Sequence, residues 1–361
     1  MSRGQAAEGV VAELAAFVPR KQLLVVGGYG YRNAGDEAIL AGLLRLTGRD
    51  GVTVVSRAPA ETAAIHGVRS IPIRSAPAAL ATHPGLVIGG GGLFGRDMGT
   101  LGRLLPLAGL VASGLRRDVA LLGIGVDREM PGSTRRLLKR LGHRACAVVV
   151  RDAASREVLA GLGIPATLAP DLSSLVESAG DTAGRRLLEA AGLHPARRPV
   201  VALAVTGVDP VLGDRVERSV VAAVDALPDV DFVLVPMSRH PFVPAHNDEL
   251  LARRLVAQRP RLRIVAPPDD TASLLGLFEA CSAAVSMRYH SLLFAERAGI
   301  PIVPIAYAEK CRHWLEERRI AEVDPSPSAL VTALCAALER PAATTASATR
   351  ALLPRKARVA A

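Results

Sequence analysis

The stretch Leu23-Leu24-Val25-Val26-Gly27-Gly28-Tyr29-Gly30-Tyr31-Arg32-Asn33-Ala34-Gly35-Asp36-Glu37-Ala38-Ile39-Leu40 decides how this chain is read. Four aliphatic residues, two of them β-branched, make a short buried strand. A glycine-rich turn follows, and Asp36-Glu37 opens a helical pattern that continues to Leu46. Strand, tight loop and helix N-terminus in that order bring free backbone N–H groups and a positive dipole end to the loop. Carboxylates in the first helical turn suit such an end. A plain βα turn accounts for the glycines. It does not account for Asn33 and two of the chain's four tyrosines sharing one loop, whereas a ligand accounts for all of them.

Two nucleotide motifs fail on this loop. A dinucleotide fingerprint needs a third glycine where Asn33 stands, and an acidic residue after the next strand, which reads Val52-Thr53-Val54-Val55-Ser56-Arg57. A Walker A loop needs a closing Gly-Lys-Ser/Thr, and the chain has none there.

With 361 residues the chain suits two domains rather than one core. Half of it is hydrophobic but only 3% is aromatic, so the cores must be built from Val, Leu, Ile and Ala. Cys146, Cys281, Cys311 and Cys335 are scattered, with no Cys-x-x-Cys, and read as reduced thiols in a cytoplasmic protein. Glu8 and Glu13 interrupt the amphipathic start, unlike a signal peptide. The longest uncharged run, Ala76 to Gly95, holds Pro, His and four successive glycines and does not span a bilayer. A net charge of +10 favours anionic partners: a phosphorylated small molecule, or the anionic inner surface of a membrane with its pyrophosphate lipids. Nucleic acid is not expected, because no basic run is interleaved with aromatics.

Aliphatic strands alternate with helical patterns along the chain. Leu23–Val26, Val52–Val55, Leu86–Ile88, Val119–Ile124 and Ala147–Val150 read as strands of a first half. Val200–Val205, Asp231–Val235, Arg263–Val265, Ala283–Val285 and Ile302–Ile305 read as strands of a second. Near-continuous apolar strands fit parallel sheets covered on both faces. The expected organisation is an N-terminal helix over 1–20, a Rossmann-like domain over 21–178, a linker over 179–198, a second such domain over 199–340 and a tail over 341–361. The fold class is α/β, with two Rossmann-like domains facing a cleft. In such sheets ligands lie beyond the C-terminal ends of the strands.

Several strand ends carry chemistry. Gly89-Gly90-Gly91-Gly92-Leu93-Phe94 follows a strand, where glycines let the backbone approach a ligand closely, or make a plain turn. Arg151-Asp152-Ala153-Ala154-Ser155 follows another. An Arg fork there pairs with a carboxylate or phosphate, unless Asp152 is simply a helix cap beside a surface Arg. Pro170-Asp171 closes the first half. Asp248 opens a helix, where it holds a sugar hydroxyl or stabilises the helix end. The most informative group is Arg288-Tyr289-His290-Ser291, then Tyr307-Ala308-Glu309-Lys310 after the next strand. A histidine at a helix mouth can donate to a phosphate or pass a proton. Lys310 arrives at the adjacent strand end, so that both reach one anion.

These segments together resemble the polysaccharide pyruvyl transferases of the CsaB type. The opening loop is similar to that family's G-Y-G-x-x-N-x-G-D-E signature and Gly89–Phe94 to its glycine-rich cleft segment. Arg151–Ser155 is similar to its R-D-x-x-S, Arg288–Ser291 to its R-x-H-S, and Tyr307–Lys310 to its Y-x-x-K. The resemblance implies a GT-B-like arrangement and a ketal pyruvyl transferase. Phosphoenolpyruvate would give its pyruvyl group to two hydroxyls of one sugar, in a cell-surface polysaccharide or its lipid-linked precursor, with release of phosphate. It implies donor contacts from Arg151, Arg288, His290, Ser291 and Lys310, and acceptor contacts from Tyr29, Asn33, Asp36, Gly91, Phe94, Asp171 and Asp248. His290, Asp36 and Glu37 are the candidate acid and base. Phosphoenolpyruvate is a substrate, so no cofactor is expected, and without an Asp-x-Asp motif no metal is expected. A GT-B glycosyltransferase using a nucleotide sugar is the alternative, with Glu296 or Glu309 to hold a ribose. A non-catalytic sugar- or phosphate-binding protein of the same fold is the second alternative.

Overall fold

The computed structural model describes residues 15, 16, 18, 22–95, 98–265 and 270–339. The expected N-terminal helix over 1–20 falls almost wholly outside the described residues, and the tail over 341–361 entirely so. Two compact units divide the chain, Met1–Glu177 and Ser178–Ala361.

Among the described residues the first unit forms a seven-stranded sheet in the order β3-β2-β1-β4-β5-β6-β7. The strands are β1 (Leu23–Val26), β2 (Val52–Ser56), β3 (Arg69–Pro72), β4 (Gly85–Phe94), β5 (Asp118–Val126), β6 (Ala147–Val150) and β7 (Thr167–Leu168). Every pairing is parallel, with Leu23 opposite Val52 on one side and Gly85 on the other. The helices between them are α1 (Ala34–Thr47), α2 (Pro59–His66), α3 (Ala76–Thr82), α4 (Leu101–Gly114), α5 (Gly132–Gly142) and α6 (Ala153–Ala160). Period-two alternation splits β1 between the two faces. Leu23 and Val25 pack with Ile39, Leu40 and Leu43 of α1. Leu24 and Val26 pack into the core that holds Leu80 of α3, Leu105 of α4, Leu138 of α5 and Leu159 of α6.

The glycine run is not a plain turn after a short strand. Strand β4 continues through Gly89–Gly92 to Phe94, paired with β5 at Gly89–Leu122 and Gly91–Ile124. The glycines make room for side chains arriving from outside the strand: a Cβ on Gly89 would lie 2.5 Å from the Tyr29 hydroxyl and 2.8 Å from Leu43, and one on Gly90 would overlap Ile39. A helix can therefore lie directly on this strand.

The second unit opens on α7 (Asp181–Ala190), so the stretch 179–198 is not the linker the sequence suggested. Its Gly184 meets Gly276 of α10 (Thr271–Glu279) so closely that any Cβ would strike the Gly276 carbonyl. The sheet runs β10-β9-β8-β11-β12 and is parallel throughout. Its strands are β8 (Val200–Ala204), β9 (Asp231–Leu234), β10 (Arg263–Ile264), β11 (Ala283–Ser286) and β12 (Ile302–Pro304). The remaining helices are α8 (Pro210–Ala226), α9 (Asp248–Gln258), α11 (Tyr289–Ala298), α12 (Glu309–Arg318) and α13 (Pro327–Leu338). Strand order reverses direction between β1 and β4 in the first unit, and between β8 and β11 in the second. Open α/β sheets bind ligands at such points. Among the described residues no helix is long and apolar enough to cross a membrane.

Candidate functional site

At the first unit's reversal point, the loop after β1 is tied down before it meets any ligand. Gly30 takes a left-handed φ of +79°, and its N–H donates to Glu37 Oε1 at 3.1 Å. The other carboxylate oxygen of Glu37 lies 2.8 Å from His66 Nε2, with the Glu37 side chain 12% exposed and the His66 side chain 5%. Glu37 is thus a brace for the loop rather than a candidate base. Its partner His66 carries no local sequence signal, since it comes from the end of α2. Tyr29 turns into the core and donates its hydroxyl to the Gly89 carbonyl at 3.1 Å. Burial, then the Asp36 and Glu37 carboxylates, push its phenol well above the ordinary range. This packing replaces the acceptor contact expected of Tyr29, and the fully buried Phe94 is likewise core. Asn33 caps α1, its Oδ1 accepting from the Gly35 N–H at 3.0 Å.

Asp36 is different. Half-buried in the first turn of α1, it sits between the β1 exit and β4. A Cβ on Gly91 (φ +89°) would fall 2.9 Å from Asp36 Oδ1, and one on Gly28 would fall 3.5 Å from Oδ2. Of the expected acceptor residues, Asp36 and Gly91 are the ones brought together at the reversal point.

The Arg-Asp-x-x-Ser segment after β6 is consumed by the fold. The Arg151 side chain is 3% exposed and forms ion pairs at 3.4 Å with both Asp152 and Asp171. The guanidinium lies against the backbone of Gly125, where a Cβ would come within 2.9 Å of it. Asp152 caps α6 by accepting from the Ser155 N–H at 2.7 Å, and Ser155 Oγ accepts from the Val126 N–H at 2.9 Å. Asp171, also buried, accepts from the Ser173 N–H at 2.9 Å. Two carboxylates around one guanidinium satisfy its charge, so Arg151 and Asp171 hold strand ends together where donor and acceptor contacts were expected.

In the second unit Arg288 is also engaged. It grips Asp248 with both arms of its fork, at 3.0 and 2.6 Å, and lies 5.5 Å from the centre of the Tyr307 ring. Burial alone would lower this guanidinium, but Asp248 and Tyr307 raise it overall. Asp248 is 2% exposed and also accepts from the Ser238 N–H at 3.0 Å. That carboxylate is held by the Arg288 fork and the Ser238 N–H, a structural pairing where a sugar hydroxyl was expected. Ser291 is fully buried and donates to the Arg288 carbonyl at 2.6 Å, so its hydroxyl closes the first turn of α11 and does not face a donor.

His290 and Lys310 occupy the second positions of α11 and α12, which follow the adjacent strands β11 and β12. The parallel register, Ser286 opposite Pro304, sets the two strand exits side by side. Both side chains are half-buried. A cation in a first helical turn opposes the helix dipole, and Lys310 sits there with no helical reason. An anion over these helix mouths would reverse the sign of that interaction. The His290 ring packs edge-on to Tyr289, 5.4 Å between centres. The exit of β8, Val205-Thr206-Gly207, forms the other wall of this reversal point and escaped the sequence reading. Thr206 is buried and its hydroxyl accepts from the Val208 N–H at 3.3 Å. A small polar residue and a glycine after a strand were its only signal. Among the described residues, no three His, Cys, Asp or Glu side chains gather as metal ligands.

The two α/β units, each built on a parallel sheet, have the GT-B-type fold. The family model for polysaccharide pyruvyl transferase matches residues 33–309, and the chain belongs to that family. No curated protein sequence matches it. Among solved structures, Anabaena HepE in complex with UDP and glucose is similar, with a TM-score of 0.62 at 14% identity over 92% of this chain and 94% of that one. S. aureus MnaA with UDP gives 0.63 at 11% identity over 88% of each chain. The UDP-GlcNAc 2-epimerase of Neisseria meningitidis gives 0.61 at 12%, over 87% of this chain and 90% of that one. At these identities the likeness is one of fold.

Proposed function

We propose that the chain moves the pyruvyl group of phosphoenolpyruvate onto two hydroxyls of one sugar, as a ketal, and releases phosphate. The observation that carries this reading is the placement of His290 and Lys310 in the first turns of helices that follow neighbouring strands. That arrangement suits the donor phosphate, which gains charge-assisted hydrogen bonds and the N–H groups of two helix mouths.

The chemistry balances on these groups. The enol carbon C3 takes a proton, which His290 supplies, and positive charge develops at C2. One sugar hydroxyl adds to C2 and gives its proton to a general base. Phosphate leaves with the electron pair of its C–O bond, held by Lys310 and the helix mouths. The second hydroxyl then adds to C2 and gives its proton to the released phosphate, closing the ketal. General acid–base groups so placed contribute roughly 10²–10⁴-fold to rate. The cations needed for the donor are side chains, and we expect turnover to survive a chelator. The acceptor is a sugar of a surface polysaccharide or of its lipid-linked precursor.

A second reading, a nucleotide-sugar transferase, draws on the UDP bound in HepE and MnaA. Against it, Glu296 is ion-paired to Arg318 at 2.6 Å near the far end of α11, away from the strand end where a ribose would sit. Thermal unfolding with phosphoenolpyruvate, UDP-sugars and GDP-sugars separates the two, because a ligand that binds only the folded state raises its apparent stability. We expect stabilisation by phosphoenolpyruvate, lost in His290→Ala. Stabilisation by a nucleotide sugar alone would overturn the proposal.

A further inference from the structure

Helix α4 exposes an apolar stripe. Leu104 is 49% exposed, Leu107 46%, and Val111 and Leu115 48% each. Their spacing of three, four and four residues puts them on one helical face. The opposite face, with Gly102, Leu105, Gly109 and Ala112, is already buried against the sheet. A helix apolar on both sides has a second surface to cover, and a contiguous exposed patch of this kind marks an interaction site.

The neighbouring helix says what covers it. Helix α5 packs tightly against α4, since a Cβ on Gly109 would lie 2.7 Å from Leu141, and both helices share one face of the sheet. Its outer side shows Arg135, Arg136, Lys139 and Arg140, all exposed, with Arg144 just beyond. Arg103 lies within α4, and Arg116 and Arg117 follow its end. Neither 101–117 nor 132–144 contains a single Asp or Glu. Arg117 and Arg135 donate to backbone carbonyls, of Ala81 at 2.6 Å and Arg128 at 2.8 Å, contacts that fix the side chains without neutralising them.

We infer that this face, the α4 stripe beside the α5 cations, docks on an anionic phospholipid bilayer. Leu104, Leu107, Val111 and Leu115 enter the acyl boundary while the guanidinium and ammonium groups meet the headgroups. A second copy of the chain is a poorer occupant: a two-fold interface would set the same cations against themselves. The inference stands on this surface alone and does not depend on the donor or acceptor chemistry proposed above.

The test is co-sedimentation of the full chain with vesicles of phosphatidylcholine alone and of phosphatidylcholine mixed with phosphatidylglycerol. The expected result is pelleting with the mixed vesicles, weakened by salt. Leu107→Glu should lower the partition coefficient roughly tenfold. Arg136→Ala, Lys139→Ala and Arg140→Ala should lower it by about fivefold for each cation removed. Val211→Glu, at an apolar position 74% exposed in the second unit, should bind as the parent does. Circular dichroism and an unchanged melting temperature establish that each variant is folded. Equal pelleting with both vesicle types, no pelleting at all, or parental binding by the α4 and α5 variants would overturn the inference. So would a concentration-dependent dimer that Leu107→Glu dissolves without any vesicle binding.

Discussion

Arg151 and Lys310 are both cations that follow a strand, Arg151 directly after β6 and Lys310 in the first turn of α12 after β12. Their surroundings differ completely. Arg151 is sealed between Asp152 and Asp171 against the Gly125 backbone. Lys310 is half-buried in the first turn of α12, where the dipole disfavours it. Arg288 repeats the Arg151 pattern with Asp248. A cation at a strand end is therefore not yet a ligand site. Around Arg151 and Arg288 the fold supplies buried carboxylates that take up the charge within each unit. Arg is suited to that use by its planar fork, whereas Lys offers a movable point charge.

The largest expected effect tests this contrast directly. Arg151→Ala leaves Asp171 and Asp152 around an empty place in a buried site. Breaking one partner out of a buried pair costs about 3–5 kcal/mol, which urea unfolding of the first unit would register. Lys310→Ala should leave that stability unchanged and weaken phosphoenolpyruvate binding roughly ten- to a hundredfold, as expected for losing a charge-assisted hydrogen bond. If Arg151→Ala folds like the parent but no longer binds the donor, the contrast fails and Arg151 belongs to the site.

An intermediate effect sharpens the picture of β4. Gly90→Ala would drive a methyl into Ile39 and impose a left-handed backbone (φ +42°) on an L side chain. Overpacking of this kind costs about 1–3 kcal/mol. Asp36, on the same helix, should shift with it, so a lowered melting temperature would come with lowered acceptor turnover. A Gly90→Ala protein with parental stability would show that α1 does not lie on the strand as described.

The smallest effect is a pH dependence. Burial holds the Tyr29 phenol protonated in the folded chain, while the unfolded chain titrates near pH 10.0. Above that pH the unfolded state has lost a proton that the folded state keeps, so stability falls as pH rises, by up to about 1.4 kcal/mol per pH unit. Below pH 10 this contribution is fully present. Tyr29→Phe removes the titrating group, and its melting temperature should fall less steeply than the parent's between pH 10 and 11. Parallel curves would place the hydroxyl outside the core.

The residues that pack were legible wherever their signal was local. Strands β1 and β6 have the bounds read from their aliphatic runs, and β2, β5, β8, β9 and β11 differ by one or two residues at an end, whereas β4 runs on past Ile88 through the glycines to Phe94. The short edge strands β3 and β7 were missed, since Arg69–Pro72 and Thr167–Leu168 are exposed or half-buried and carry no apolar run. Helix α7 was taken for a linker because its Asp, Gly and Arg content hides the contact that Gly184 makes with Gly276.

By itself the sequence determined the alternation of strands and helices, the two parallel sheets and the family, because periodicity, turn residues and strand-end motifs are properties of short segments. It also placed Asp36, His290 and Lys310 at helix mouths. Only the tertiary structure decided which of the polar residues read from the sequence are held by partners far along the chain. Glu37 meets His66 across 29 positions, Arg151 meets Asp171 across 20, and Arg288 meets Asp248 across 40. No local pattern announces such pairings. A charged side chain taken out of water must find its partner wherever the fold brings one, and that search is settled in three dimensions.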